Sequence, residues 1–272
     1  MSRTRHHLAS ICAVLLGATA AMAPALATES EQELARQLTN PVAALISVPI
    51  QLNYNGDVGP VDDGEQWVLN IQPVIPFDLN EDWNLISRTI LPLVDQSDIF
   101  PGAGSQSGIG DTVQSVFFSP KAPTAGGWIW GAGPVFLLPT GSDDLLTTDK
   151  WGIGPTGVAL RQQGPWTVGV LGNHIWSFAG ESARDDISAT FIQPFMSFTT
   201  PTAWTYTLQS ESTYDWENSE WQIPIRGVVS KVTRVGSQLM SVAGGVNYWV
   251  QSTDRGPEGW GFRFTVTLLF PR

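Results

Sequence analysis

Beyond its first 27 residues the sequence contains a single histidine and no cysteine, so the chemistry open to it is narrow. His174 stands in the run Asn173-His174-Ile175-Trp176-Ser177, three residues before a serine. A nucleophile and its base must come within hydrogen-bond reach, yet on a strand residues three apart point to opposite faces. The pair cannot form a local dyad, and His174 reads instead as a structural residue at an interface. Neither enzymatic activity nor a catalytic residue is expected. The acidic pairs Asp62-Asp63, Asp143-Asp144 and Asp185-Asp186 lack the ligand spacing of a calcium loop and read as solvated loops. No metal and no cofactor are expected either. What remains is a set of polar residues on the candidate inner faces of long strands: Arg88, Gln193, Gln209, Glu211, Arg226 and Arg263, with Asn70 and Gln72 beside them. Lining a passage, they would select a polar or anionic solute. Packed together, Glu211, Arg226 and Arg263 would form a paired network filling a narrow interior, because buried charges must be paired.

Either reading needs an architecture that turns these side chains toward one another. The chain has 272 residues, of which 14% are charged, and it carries 12 tryptophans. Ordinary soluble domains are about 25% charged, so much of this surface faces something other than water. After the N-terminal segment no stretch approaches the roughly 20 continuous apolar residues of a spanning helix. A transmembrane β-barrel resolves the conflict, since its alternating strands never form a long apolar run. The formal net charge of -11 argues against nucleic acid as a partner, because phosphate binding needs clustered Lys and Arg.

Residues 1-27 read as a Sec signal peptide: Arg3, Arg5, His6 and His7 form the basic region, Leu8 to Ala21 the apolar core, and Ala25-Leu26-Ala27 the small-residue cleavage site. Cys12 lies in that core, so the exported chain can hold no disulfide. Residues 28-41 form a second unit, a short helix over Thr28 to Leu38 that either plugs the barrel or lies in the periplasm; Asn40-Pro41 ends it. Residues 42-272 read as one barrel of about twelve strands, among them Leu45 to Tyr54, Trp83 to Val94, Gly108 to Ser119 and Trp128 to Pro139. Most are long enough to cross a bilayer when tilted.

Alternation assigns the faces. From Trp204 to Trp216 the even positions carry Trp204, Tyr206, Leu208, Tyr214 and Trp216, and the odd ones Thr205, Thr207, Gln209, Glu211 and Thr213. That is a lipid-facing stripe with aromatics at both ends, beside a polar lumen face. In the last strand Phe262, Phe264, Val266, Leu268 and Phe270 face outward and Arg263 inward. The inward placing of Arg88 rests on the cost of an arginine in lipid. Trp128 to Pro139 is apolar on both faces, which fits an inner face packed against an inserted segment or a core strand of a soluble sandwich. The prolines inside strands, Pro73, Pro76, Pro92, Pro134, Pro155, Pro194 and Pro224, suggest bulges or disturbed stretches of wall. Long acidic connections alternate with short ones, as expected of an up-and-down barrel with both termini in the periplasm.

The segments Ile71 to Phe77 (IQPVIPF), Ser87 to Leu93 (SRTILPL), Gly108 to Asp111 (GIGD), Trp130 to Gly141 (WGAGPVFLLPTG), Lys150 to Leu160 (KWGIGPTGVAL), Pro165 to Gly180 (PWTVGVLGNHIWSFAG) and the final LLFPR resemble the outer-membrane transporter barrels related to the MetA pathway of phenol degradation. The resemblance spans nearly the whole exported chain. It implies an outer-membrane barrel passing small or hydrophobic molecules, and it supplies no catalytic residues. The expectation is therefore an all-β, antiparallel up-and-down transmembrane barrel with a short N-terminal helix, acting as a channel for passive passage of small molecules, hydrophobic or aromatic ones included. Its expected partners are outer-membrane lipid and lipopolysaccharide, the barrel-assembly machinery and a small-molecule solute. The alternative is a non-conducting structural or adhesion barrel with an acidic extracellular rim.

Overall fold

A computed structural model describes residues 29–271; the segment expected to be a leader, with its expected cleavage site, lies outside the described residues. One helix, α1 (Glu29–Leu38), precedes twelve antiparallel strands. They are β1 (Ile46–Val58), β2 (Gly64–Ile71 and Val74–Asp78), β3 (Trp83–Ser97), β4 (Ser105–Ile109 and Thr112–Pro120), β5 (Trp128–Leu138), β6 (Lys150–Gln163), β7 (Trp166–Gly180), β8 (Ser188–Thr199), β9 (Trp204–Ser210 and Ser212–Asp215), β10 (Glu220–Val235), β11 (Gln238–Gln251) and β12 (Trp260–Phe270). Each strand pairs with its neighbours in sequence, and β12 pairs with β1 from Ile46↔Phe270 to Asn55↔Gly261. The sheet is closed. Closure leaves no open edge, which is the condition for carrying backbone N–H and C=O groups through hydrocarbon.

The expected face assignment holds along the wall. Trp204, Tyr206 and Leu208 are exposed on β9, Phe262, Phe264 and Phe270 on β12, and Val168, Val170 and Trp176 on β7, while Thr167, Leu171, Thr205 and Arg226 are buried. Exposed aromatics form two belts. Trp128, Trp130, Trp166 and Trp204 lie toward the end of the barrel that holds the chain termini; Trp67, Trp151, Trp176, Trp221 and Trp260 lie toward the end with the long loops. Aliphatics such as Ile225, Val229 and Val246 occupy the belt between. A continuous apolar band would aggregate in water; flanked by aromatic girdles, it matches the lipid contact of a transmembrane barrel.

Turn chemistry sorts the two ends. Gly164-Pro165 and Gly236-Ser237 are two-residue turns at the terminal end, with φ of +56° at Gly164 and +61° at Gly236, a geometry that matches strand twist and suits glycine. At the opposite end Asp57, Asp62, Asp98 and Asp149 take positive φ, which aspartate tolerates better than most residues. Several strands run further toward the long loops than their apolar patterning implies: β1 reaches Val58 rather than Tyr54, β3 reaches Ser97 rather than Val94, and β4 starts at Ser105 rather than Gly108. Backbone pairing continues past the lipid-facing stripe, where inward Gln66, Gln96 and Gln106 bond to one another side by side.

The strand prolines fall into distinct settings. Pro224 adjoins a bulge in the β10–β11 ladder, Pro73 lies at the interruption of β2, and Pro134 of β5 stands directly opposite Pro155 of β6. The β4 interruption at Gly110 and Asp111 leaves the Gly110 N–H bonded to the Pro92 carbonyl at 2.9 Å.

The N-terminal segment enters the barrel from the terminal end. Leu34 and Ala35 of α1 are buried with Leu45, Ala203, Val232 and Leu269. Ala203, fully buried, holds a φ of +60°, a conformation costing an L-residue roughly 1–2 kcal/mol and maintained here by packing under the helix. Gln162 closes the helix end, accepting from Arg36 at 3.0 Å and donating to the Arg36 carbonyl at 2.9 Å. Beyond the helix the chain carries Val42 into a second cluster with Ile86, Phe117, Val158, Leu160, Leu171 and Phe195. Gly131 of β5 faces the same point, where an added Cβ would lie 3.1 Å from a Val42 methyl carbon. The double apolar face of β5 thus follows from an inserted segment.

Candidate lumen site

The interior has two unlike sides. The apolar cluster around Val42 is contributed by β3, β4 and β6 through β8. The opposite arc, running from β8 through β12 to β1, β2 and β3, is polar. At its centre is Glu211, at the break between the two parts of β9. Pro194 on β8 and Pro224 on β10 flank this point with no N–H to give, and the adjacent Ser210 hydroxyl bonds to the Pro224 carbonyl at 2.7 Å.

Glu211 is fully engaged. Its Oε1 accepts from Arg263 at 2.7 Å and from Gln209 Nε2 at 2.9 Å; its Oε2 accepts from Arg263 at 2.8 Å and from Arg226. Arg263 therefore forms the bidentate fork that gives guanidinium–carboxylate pairs their strength. Its Nε donates to Asn53 Oδ1 at 2.7 Å, and Arg226 donates to Asn247 Oδ1 at 3.3 Å. Gln193 joins by donating to Gln209 at 3.2 Å. Arg88 faces the same interior but belongs to a separate pair, donating to Gln72 Oε1 at 3.1 Å.

All six candidates, Arg88, Gln193, Gln209, Glu211, Arg226 and Arg263, thus face inward, and five are joined in one hydrogen-bonded network. Sequence reasoning missed Asn53, Asn247 and Gln51. Asn53 and Gln51 share the inward alternation of β1 and were there to be found. Asn247 sits in the glycine-rich run Gly244-Gly245-Val246-Asn247, where alternation carries little contrast.

A cavity of about 300 Å³ lies between the inserted segment and this arc. Ala35, Leu38, Asn40 and Leu45 bound it on the helix side, and Arg88, Gln72, Gln193, Gln209 and Arg263 on the wall. A second space of about 610 Å³ lies toward the long loops, between Gln66, Gln96, Ile99, Phe100, Leu145 and Arg255.

His174 and Ser177 do not meet. His174 Nδ1 shares a hydrogen bond with Thr190 Oγ1 at 2.7 Å and its ring lies 4.1 Å from that of Trp176, on the outward face. Ser177 donates to Asp186 at 3.2 Å and accepts from the Ile187 N–H at 3.0 Å. The acidic loops are partly tied to bases: Asp186 to Lys150 at 2.9 Å and Asp149 to Arg184 at 2.7 Å. The Lys150 hydrogen bond, followed by that from Ser177, holds the Asp186 carboxyl below its ordinary pKa. Among the described residues no group of three or more His, Cys, Asp and Glu side chains could hold a metal ion.

Asp111 of the GIGD segment organises the loop after β5. Its two oxygens accept from the Gly141 N–H at 3.1 Å, the Thr147 hydroxyl at 2.8 Å, the Thr148 N–H at 2.7 Å and the Thr148 hydroxyl at 2.6 Å. Asp111→Ala is expected to ease local opening of this loop by about 1–3 kcal/mol. Hydrogen exchange at Gly141 and Thr148 should then accelerate while the strands stay protected; unchanged exchange would show that the loop is held by other contacts.

These features define a class, the closed antiparallel barrels of outer membranes. No family model matches the sequence, and no curated protein matches it. Among solved structures, the chain is similar to the COG4313 outer membrane channel from Pseudomonas putida F1, with a TM-score of 0.66 and 15% identity over 84% of this chain and 96% of that one. Looser similarity is found to the NanC porin, with a TM-score of 0.49 and 8% identity over 83% and 100% of the two chains. The KdgM porin follows at 0.45 and 10%, over 83% and 99%.

Proposed function

We propose that the protein is an outer-membrane channel through which small molecules pass by diffusion, exported by its Sec leader and seated with both termini in the periplasm and the long acidic loops outside. The observation that carries this reading is the interior itself. It is neither packed solid nor wide open, but holds a cavity of about 300 Å³ between the inserted N-terminal segment and a polar wall. Twelve strands suit a narrow conduit, between filled barrels of about eight and open porins of about sixteen. Arg88, Gln193, Gln209 and Arg263 line the path at the cavity, and Glu211 and Arg226 brace it.

Refolded protein in planar bilayers should show discrete, small conductance steps in salt solution. A folded, heat-modifiable barrel that never conducts would refute the channel reading and leave a structural barrel.

A further inference from the structure

Three guanidinium groups and one carboxylate meet in this interior, and the imbalance is local. Glu211 is shared by Arg226 and Arg263. Among the described residues Arg88 has one hydrogen bond, to the uncharged amide of Gln72, and no carboxylate is paired with it; the charge of Glu211, already shared by two arginines, acts on it only through space. An arginine carries five N–H donors and remains charged at any physiological pH. Arg88 and Arg263 both border the 300 Å³ cavity, as do the amides of Gln72, Gln193 and Gln209. An enclosed cation with donors to spare is costly unless something negative completes it. Leu38, Val74, Leu171 and Phe195 provide apolar lining to the same cavity.

We infer that this cavity binds a small organic carboxylate, with its charged end at Arg88 and Arg263 and its apolar body against Leu171 and Phe195. The donor geometry suits the anion, since a guanidinium edge matches a carboxylate in a bidentate fork. The apolar lining favours one charge on a hydrocarbon body over a compact inorganic ion. The bound anion supplies the negative charge that Arg88 lacks, and the site discriminates against cations although the chain as a whole carries a net charge of -11. The acidity is concentrated in the loops, whereas the cavity is basic.

This inference rests on the channel reading, and three measurements separate their failures. In a KCl gradient across a planar bilayer, the reversal potential of the wild type should show chloride preferred over potassium several-fold. Arg88→Gln should bring the two toward parity, and Arg88→Lys, which keeps the charge, should retain the preference. Butanoate should reduce single-channel current, with roughly tenfold more needed in Arg88→Gln, while uncharged butan-1-ol has no such effect. Cation preference in the wild type, or equal block of the wild type and Arg88→Gln, would overturn the inference and leave the channel intact. Absence of any current would instead refute the channel. The site would then be judged by calorimetric titration of the folded protein with butanoate in detergent: heat lost in Arg88→Gln supports it, and no heat in the wild type overturns it.

Discussion

Replacing Glu211 by alanine is expected to lower the stability of the barrel by about 3–5 kcal/mol, the usual cost of breaking a buried ion pair by removing one partner. The magnitude follows from what is left behind. Arg226, 4% exposed, and Arg263, whose side chain is 9% exposed, would lose the carboxylate they share. Arg88 adds a third positive charge to the same space. The pair need not be a net source of stability in itself, because desolvating three charged groups offsets much of their attraction. The expectation is therefore asymmetric: Glu211→Leu combined with Arg226→Met and Arg263→Met should recover most of what Glu211→Ala loses. Urea unfolding in lipid vesicles measures both variants. A loss below about 1 kcal/mol for Glu211→Ala, the range of solvent-exposed pairs, would show that the network is hydrated and carries little load.

The second large effect is expected at the N-terminal segment. Leu34 is 7% exposed and Ala35 3% exposed, packed on Val232 and Leu269 of the wall. Burying leucine side chains contributes roughly 1.5–3 kcal/mol each, and the two bonds to Gln162 add about 1 kcal/mol apiece. An unpaired carboxylate set into that contact costs several kcal/mol, enough to cancel the docking. Leu34→Asp should therefore release α1, and ten residues are too few for a helix to persist alone in water. Single-channel conductance should rise several-fold, while the barrel keeps its resistance to heat and detergent. Conductance equal to that of the wild type, with α1 shown by protease cleavage to be detached, would mean that the constriction lies at the Glu211 network and not at the helix.

The two variants separate the parts of the site. Glu211→Ala acts on a wall network, so its first consequence is for stability; Leu34→Asp acts on an insert that the closed ladder does not need. The apolar cluster around Val42 connects them. Its seat between Gly131 and Phe117 holds the segment that bounds the cavity opposite Arg88.

The barrel architecture is legible in the alternation of residues, and so is the facing of side chains on the strands where that alternation is regular. A period of two is strict along a regular strand, so one well-placed lipid-facing stripe such as Trp204, Tyr206 and Leu208 dictates that Gln209 and Glu211 point the other way. Arginine's cost in lipid turned Arg88 inward even where the alternation of β3 is poor. Alternation says only which face a residue occupies, never which residue stands across from it. Arg263 donates to Asn53, 210 positions away, because the last strand pairs with the first when the barrel closes. The curvature of the wall brings Arg263 of β12 to Glu211 of β9, beside Arg226 of the adjacent strand, and leaves Arg88 with an amide. Long-range packing also decided where α1 sits: the sequence identifies a short helix, but the surface it covers is assembled from Ala203, Val232 and Leu269, which lie on separate elements. The placement of the insert and the charge imbalance of the cavity are consequences of packing between residues far apart along the chain, which no local pattern encodes.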